Sequence, residues 1–126
     1  MSEPRPLVIV VDDALALRLV LVRALTEAGF DALSAPDGSA AATLILGLKH
    51  APDAVVTDIR MPVMGGERLA SWLTQQYPRV PIIFISGFVE NVPSLPGPLL
   101  TKPFEPGALC NLVRQAIAAS QASVPA

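Results

Sequence analysis

The stretch Leu7-Val8-Ile9-Val10-Val11-Asp12-Asp13 decides how this chain is to be read. A short, continuous apolar run rich in β-branched residues is the pattern of a strand. Because no polar residue alternates within it, both faces are expected to be covered, as in a parallel sheet flanked by helices. Two carboxylates follow at once. Next comes Ala14–Ala28, with apolar residues at helical spacing, and then Gly29 as a helix stop.

The same unit recurs along the chain. Ala32–Ala35, Ala54–Thr57, Pro81–Ile85 and Leu99–Thr101 read as further strands, and Ser39–Lys49, Gly66–Gln76 and Glu105–Ala119 as further helices. Pro106 falls in a first turn, where proline is tolerated. Alternating strands and helices predict an open α/β sheet with right-handed crossovers. The fourth crossover departs from the pattern. Between Ser86 and Leu99 stand Pro93, Pro96, Gly97 and Pro98, which leave room for a short helix at most, ending before Pro93.

Composition sets outer limits. The 126 residues suit one domain, and 52% are apolar against 16% charged, which excludes intrinsic disorder. The net charge is −2, and the 9 Lys and Arg are scattered, unlike the basic footprint of a nucleic-acid binder. One cysteine, Cys110, excludes a disulfide framework and a cysteine zinc site. No apolar run reaches the ~18 residues of a membrane span. Residues Met1–Arg5 lack the apolar stretch of a secretory signal, so the expected compartment is the cytoplasm.

In open α/β sheets ligands bind beyond the carboxyl ends of the strands. Here those ends carry Asp12-Asp13, Asp58, Ser86 and Thr101-Lys102. Each has an ordinary reading taken singly: Asp12-Asp13 as a helix cap, Asp58 as a turn residue, Lys102-Pro103 as a solvated turn. Their joint placement at four of five strand ends points instead to one acidic site with one ammonium. Clustered carboxylates repel unless a cation sits among them, and Mg²⁺ takes such oxygen ligands. A carboxylate beside Mg²⁺ can become an aspartyl-phosphate, with Lys102 neutralising phosphoryl charge.

These residues resemble a response-regulator receiver domain of two-component signalling. The resemblance is carried by Val10-Val11-Asp12-Asp13, Asp58-Ile59-Arg60-Met61-Pro62 with Gly66, Ile85-Ser86-Gly87 and Lys102-Pro103-Phe104. It is greatest to receivers of hybrid histidine kinases and stand-alone single-domain response regulators. It implies a doubly wound, flavodoxin-like parallel sheet of strand order 2-1-3-4-5, with helices on both faces and a shortened or missing fourth helix. The resemblance extends over 7–119, with 1–6 an N-terminal extension and 120–126 a frayed tail. It implies that Asp58 is the phosphoacceptor and that Asp12, Asp13, Asp58 and the Arg60 backbone carbonyl hold Mg²⁺. Ser86 and Lys102 would bind phosphoryl oxygens, and Lys102–Pro103 would be cis. Gly87 would leave little bulk beside the acyl phosphate. Leu99 stands where many receivers carry an aromatic switch.

On a helical wheel Leu17, Val20, Leu21, Ala24, Leu25 and Ala28 form the inner stripe of the first helix. Leu15, Leu19 and Val22 then lie outward, a docking strip for a helix of a histidine-bearing partner. Trp72 reads as a half-buried packing residue, Cys110 as core, and Asp37-Gly38 as a helix start. His50 reads as a solvated helix end, and Asp53 as solvated. The resulting expectation is a monomeric phosphoacceptor rather than an enzyme. It would be served by a histidine kinase or histidine phosphotransfer protein, with no nucleic acid, membrane insertion or DNA-binding output domain. The alternatives are a phosphorylation-independent docking module and an Mg²⁺-dependent phosphatase. The latter is disfavoured by Arg60, where such enzymes need a second acid.

Overall fold

A computed structural model describes residues 4–87 and 94–122. In chain order its elements are β1 (Leu7–Val11), α1 (Leu15–Glu27), β2 (Asp31–Ala35), α2 (Gly38–Leu46), β3 (Ala54–Asp58), α3 (Gly66–Gln76), β4 (Ile82–Ser86), β5 (Leu99–Thr101) and α4 (Pro106–Ala122). The five strands pair in parallel in the order β2-β1-β3-β4-β5.

The two-residue period of a strand explains why the apolar runs are unbroken. Val8 and Val10, Ala54 and Val56, and Ile83 and Ile85 pack on the face covered by α1 and α4, against Leu21, Leu25, Leu109 and Val113. Their neighbours Ile9, Val11, Val55, Ile82 and Phe84 pack on the other face, against Ala41 and Ile45 of α2 and Leu69 and Leu73 of α3. Each large side chain buried this way contributes about 1.5–3 kcal/mol relative to exposure. Coverage on both faces holds for the three central strands only. At the edges, β2 buries only Ala35 and β5 is half-exposed, because each has a neighbour on one side alone.

Several boundaries depart from expectation. Asp37 caps α2, its carboxylate accepting from the Ala40 amide at 2.9 Å, and the helix ends at Leu46 rather than Lys49. His50 lies beyond that end and is exposed, as expected. Asp53 is not merely solvated: its carboxylate accepts from the Leu7 amide at 2.7 Å, and its own amide donates to the Leu7 carbonyl at 2.8 Å, pinning the start of β1. The last helix runs on to Ala122, past the expected end at Ala119, and the Ser120 hydroxyl donates to the Arg79 carbonyl at 2.6 Å. Trp72 is half-buried, edge-on to Tyr77, and Cys110 is buried. Most of the expected short fourth helix falls in 88–93, outside the described residues. Residues 94–98 are not helical, and the Pro98 carbonyl accepts from the Phe84 amide at 2.8 Å, bringing the chain onto β4 before β5 begins.

The phase of α1 also differs from the wheel. Leu21 and Leu25 are fully buried, as expected, but Val20 is 49% exposed, while Val22 is half-buried against the core. The helix packs on both β2 and α4, so its buried arc is wider and rotated relative to a single inner stripe. The end of α1 is tied from two sides. Arg5 donates to the Phe30 carbonyl at 2.8 Å, and Arg114 donates to the Ala28 carbonyl at 3.2 Å while lying over the Phe30 ring. Gly29, at φ 105°, makes the turn that a side chain would strain.

The start of α3 lies against the end of β3. A Cβ at Gly66 would stand 2.1 Å from the Asp58 carbonyl oxygen. By contrast, a Cβ at Gly107, in the first turn of α4, would meet nothing within 4 Å. Gly66→Ala should therefore destabilise by about 2–3 kcal/mol, as overpacking against backbone does. Gly107→Ala should be neutral or stabilise by up to ~1 kcal/mol. Urea denaturation of both variants checks the contrast. Equal midpoints would show that the α3–β3 approach is not tight.

Candidate functional site at the carboxyl edge of the sheet

Parallel register brings the strand ends to one edge. Val11 stands beside Thr57, Asp58 beside Ile85, and Ser86 beside Thr101, so Asp12, Asp58, Ser86 and Lys102 close the four adjacent strands. The Lys102 amide donates to the Ser86 carbonyl at 2.8 Å, extending the β4–β5 ladder by one residue. The Lys102–Pro103 peptide is cis, as the resemblance implied.

The side chains meet there. Lys102 Nζ lies 2.9 Å from Asp12 Oδ2 and 2.9 Å from Asp58 Oδ2. Asp12 is fully buried, Asp58 7% exposed and Ser86 1% exposed, while Asp13 is exposed. One carboxylate oxygen from each of Asp12, Asp13 and Asp58 lies within 4.8 Å of the others. The other oxygens of the two buried acids are held by the backbone. Asp12 Oδ1 accepts from the Ala14 amide at 2.8 Å, and Asp58 Oδ1 from the Ile59 amide at 2.7 Å. The helix-cap reading of Asp12-Asp13 does not hold, since Ala14 occupies the cap position without a side-chain cap bond; Asp12 Oδ1 closes a local turn onto the Ala14 amide, and Oδ2 faces the ammonium.

Three carboxylates share one ammonium, so the cluster is short of positive charge. Burial pushes the Asp58 carboxyl above its ordinary range, and the charge on Asp12 adds to this; Lys102 and the Ile59 amide oppose it without cancelling it. For Lys102, burial favours loss of the proton, but its bonds to Asp58 and Asp12 outweigh that and raise its proton affinity. The ammonium therefore stays charged at neutral pH.

The loop 59–65 follows Asp58. Arg60 is exposed within it, and Val63 is 80% exposed at φ 67°, a left-handed conformation rare for a β-branched residue. Gly87, just past Ser86, is exposed, and a Cβ there would meet nothing within 4 Å. Leu99 is half-buried and packs into the α2–α3 face of the core.

Of the outward strip expected on α1, Leu15 and Leu19 are exposed, at 58% and 62%. Val22 is not part of it, because it packs inward; Val20 is exposed instead. Val20 borders an apolar cleft of ≈ 280 Å³ that also involves Leu17, Leu21, Pro103, Phe104 and the Lys102 side chain. The wheel missed this cleft because α1 forms only one of its walls. In the sequence Arg18 stands out only as a charge flanking the strip. In the fold its guanidinium donates to the Asp12 carbonyl at 2.7 Å.

Raised proton affinity of Asp58 has a definite sign for stability. The charged carboxylate opposes folding above its folded-state pKa, and that penalty vanishes as pH falls below the unfolded value. Asp58→Asn leaves Lys102 paired with Asp12 while removing one repelling charge. In metal-free buffer it should raise Tm at pH 7 by roughly 4 °C, the displacement that about 1 kcal/mol produces in a domain of this size. The gain should shrink toward pH 4. Calorimetric scans across that range check it, and a lowered Tm at pH 7 would contradict an excess of negative charge at this edge.

Comparison with known proteins agrees with this geometry. Residues 8–95 match the response regulator receiver domain family. The chain is 33% identical over 114 residues to the sensor kinase CckA of Brucella abortus, covering 86% of this chain and 12% of that protein. It is 33% identical over 119 residues to the DNA-binding transcriptional regulator NtrC of Escherichia coli, covering 90% of this chain and 25% of that protein. This chain thus spans a quarter or less of these relatives. Among solved structures, a response regulator receiver protein from Sinorhizobium medicae superposes with TM-score 0.81 at 30% identity, covering 92% of this chain and 97% of that one. The receiver domain of the hybrid histidine kinase CckA gives TM-score 0.77 at 27% identity, covering 88% and 98%. On the family match and the strand order together, this chain belongs to the response regulator receiver domains of two-component systems.

Proposed function

We propose that this chain accepts a phosphoryl group on Asp58 from the phosphohistidine of a histidine kinase or histidine phosphotransfer protein in the cytoplasm. The observation that carries the reading is the meeting of Asp12, Asp13 and Asp58 around a site with one ammonium. The donor set is all oxygen, and one of its three acids is exposed, which leaves room for retained waters; that chemistry fits Mg²⁺. Asp12, Asp13 and Asp58 would hold it, with the Arg60 backbone carbonyl. Bound there, it would neutralise the acids and the phosphoryl oxygens.

The chain's own residues do the rest. A carboxylate oxygen of Asp58 attacks phosphorus as the phosphorus–nitrogen bond breaks, its electron pair going to the imidazole of the donor. The Lys102 ammonium, already 2.9 Å from Asp58 Oδ2, offsets charge on the transferring oxygens. Ser86, at the end of β4, donates its hydroxyl proton to a phosphoryl oxygen. Attack of water on phosphorus later breaks its bond to the Asp58 oxygen, releases inorganic phosphate and restores the carboxylate. The chain acts as a signalling module rather than as an enzyme turning over a metabolite. The exposed Leu15 and Leu19, with Val20 and its cleft beside Lys102, support docking of an apolar helix from the donor at this edge.

Intact-protein mass after incubation with acetyl phosphate and Mg²⁺ should show one added phosphoryl group in the wild type and none in Asp58→Ala. Millimolar Mg²⁺ should also raise the Tm of the wild type by a few degrees, because it relieves the repulsion among the acids. No adduct with acetyl phosphate or with a phosphohistidine donor would favour a phosphorylation-independent docking module. Leu19→Glu should slow transfer from the cognate donor by roughly tenfold, the effect of losing ~1.4 kcal/mol of docking, while labelling by acetyl phosphate stays unchanged. Equal transfer rates would remove the docking role of α1.

A further inference from the structure

Arg18 is placed oddly for a cation. It lies near the start of α1, where the helix dipole disfavours positive charge. The first turn holds no acidic residue, and Ala14 at the cap position offers no side-chain bond. Arg18 is nonetheless half-buried between the exposed Leu15 and Leu19, and its Nη1 donates to the Asp12 carbonyl at 2.7 Å.

That carbonyl belongs to the peptide joining Asp12 to Asp13. Asp12 itself is held at each of its other polar atoms: its amide donates to the Ala35 carbonyl at 3.1 Å, Oδ1 accepts from Ala14, and Oδ2 accepts from Lys102. Asp13 is exposed, and its carboxylate is brought to the cluster by the path of the backbone through this turn. A rotation of the 12–13 peptide would swing the Cα–Cβ bond of Asp13 and carry its carboxylate away from Asp12 and Asp58.

We propose that Arg18 is a positioning residue of the acidic site, whose guanidinium fixes the peptide between Asp12 and Asp13 and so keeps the Asp13 carboxylate converged with Asp12 and Asp58. The inference rests on the proposal that these three acids hold a divalent cation. It reaches the cation through backbone geometry rather than through charge, and the two routes have opposite signs. Removing a positive charge near three carboxylates tightens cation binding by Coulomb attraction alone. Loosening the turn weakens it.

Isothermal titration of metal-free protein with Mg²⁺ separates them. Arg18→Met should bind Mg²⁺ about tenfold more weakly than the wild type, the low end of what losing a partner of a metal ligand costs. Its Tm without metal should stay within a few degrees of the wild type. Arg18→Lys, which keeps the charge but not the planar fork, should fall between the two. Affinity equal to or tighter than the wild type in Arg18→Met would overturn the proposal. Should Arg18→Met fail to fold, Arg18→Lys decides: weaker binding supports the proposal and wild-type binding overturns it. A wild-type protein that takes up no Mg²⁺ would instead overturn the metal reading itself, a result distinct from wild-type binding with an unaffected variant.

Discussion

The Lys102 ammonium lies 2.9 Å from two buried carboxylates that stand at the ends of different strands, and this contact governs the whole carboxyl edge of the sheet. Without it, Asp12 and Asp58 would be two like charges held almost out of water, each costing several kcal/mol. With it, one acid is balanced and the edge still carries excess negative charge. That imbalance is chemically useful. It disposes the site toward a hard cation, which would offset the excess negative charge.

Everything that holds the contact in place lies in the scaffold. The β4–β5 ladder, continued by the Lys102 amide on Ser86, delivers the lysine from the edge of the sheet. β1 and β3, covered on both faces, deliver the aspartates from its middle. Gly66 lets α3 begin close against the Asp58 carbonyl, so the backbone carrying the acid is confined from behind. The buried centre therefore supplies the negative charges, and the half-exposed edge supplies the counter-charge.

The sensor kinase and the transcriptional regulator that this chain matches are longer, and the matched portion occupies 12% of one and 25% of the other. The apolar residues beside the acidic edge, Leu15, Leu19 and Val20, are on the same helix whose start carries Asp12 and Asp13 into the cluster. The exposed apolar residues and the acidic cluster are therefore close along the chain, with Arg18 between them.

Much of this was legible in the sequence, for a definite reason. Strand identity follows from short apolar runs, β-branched in β1, β3 and β4, and in a parallel sheet the residue ending each run must emerge at one edge, so Asp12, Asp58, Ser86 and Lys102 could be gathered without coordinates. The family resemblance supplied the roles and the cis peptide, which spacing alone does not contain. Tertiary structure decided whatever depended on neighbours distant in the chain. Val20 and Val22 exchanged places because α1 meets β2 and α4 together, and a helical wheel carries periodicity but no phase. Asp53 became a strand anchor because β1 begins beside it, and β2 and β5 proved half-exposed because an edge strand has one neighbour. Arg18 read as a surface charge until the fold set its guanidinium on the Asp12 carbonyl. Local chemistry is written along the chain, whereas the partner of a side chain is chosen by packing.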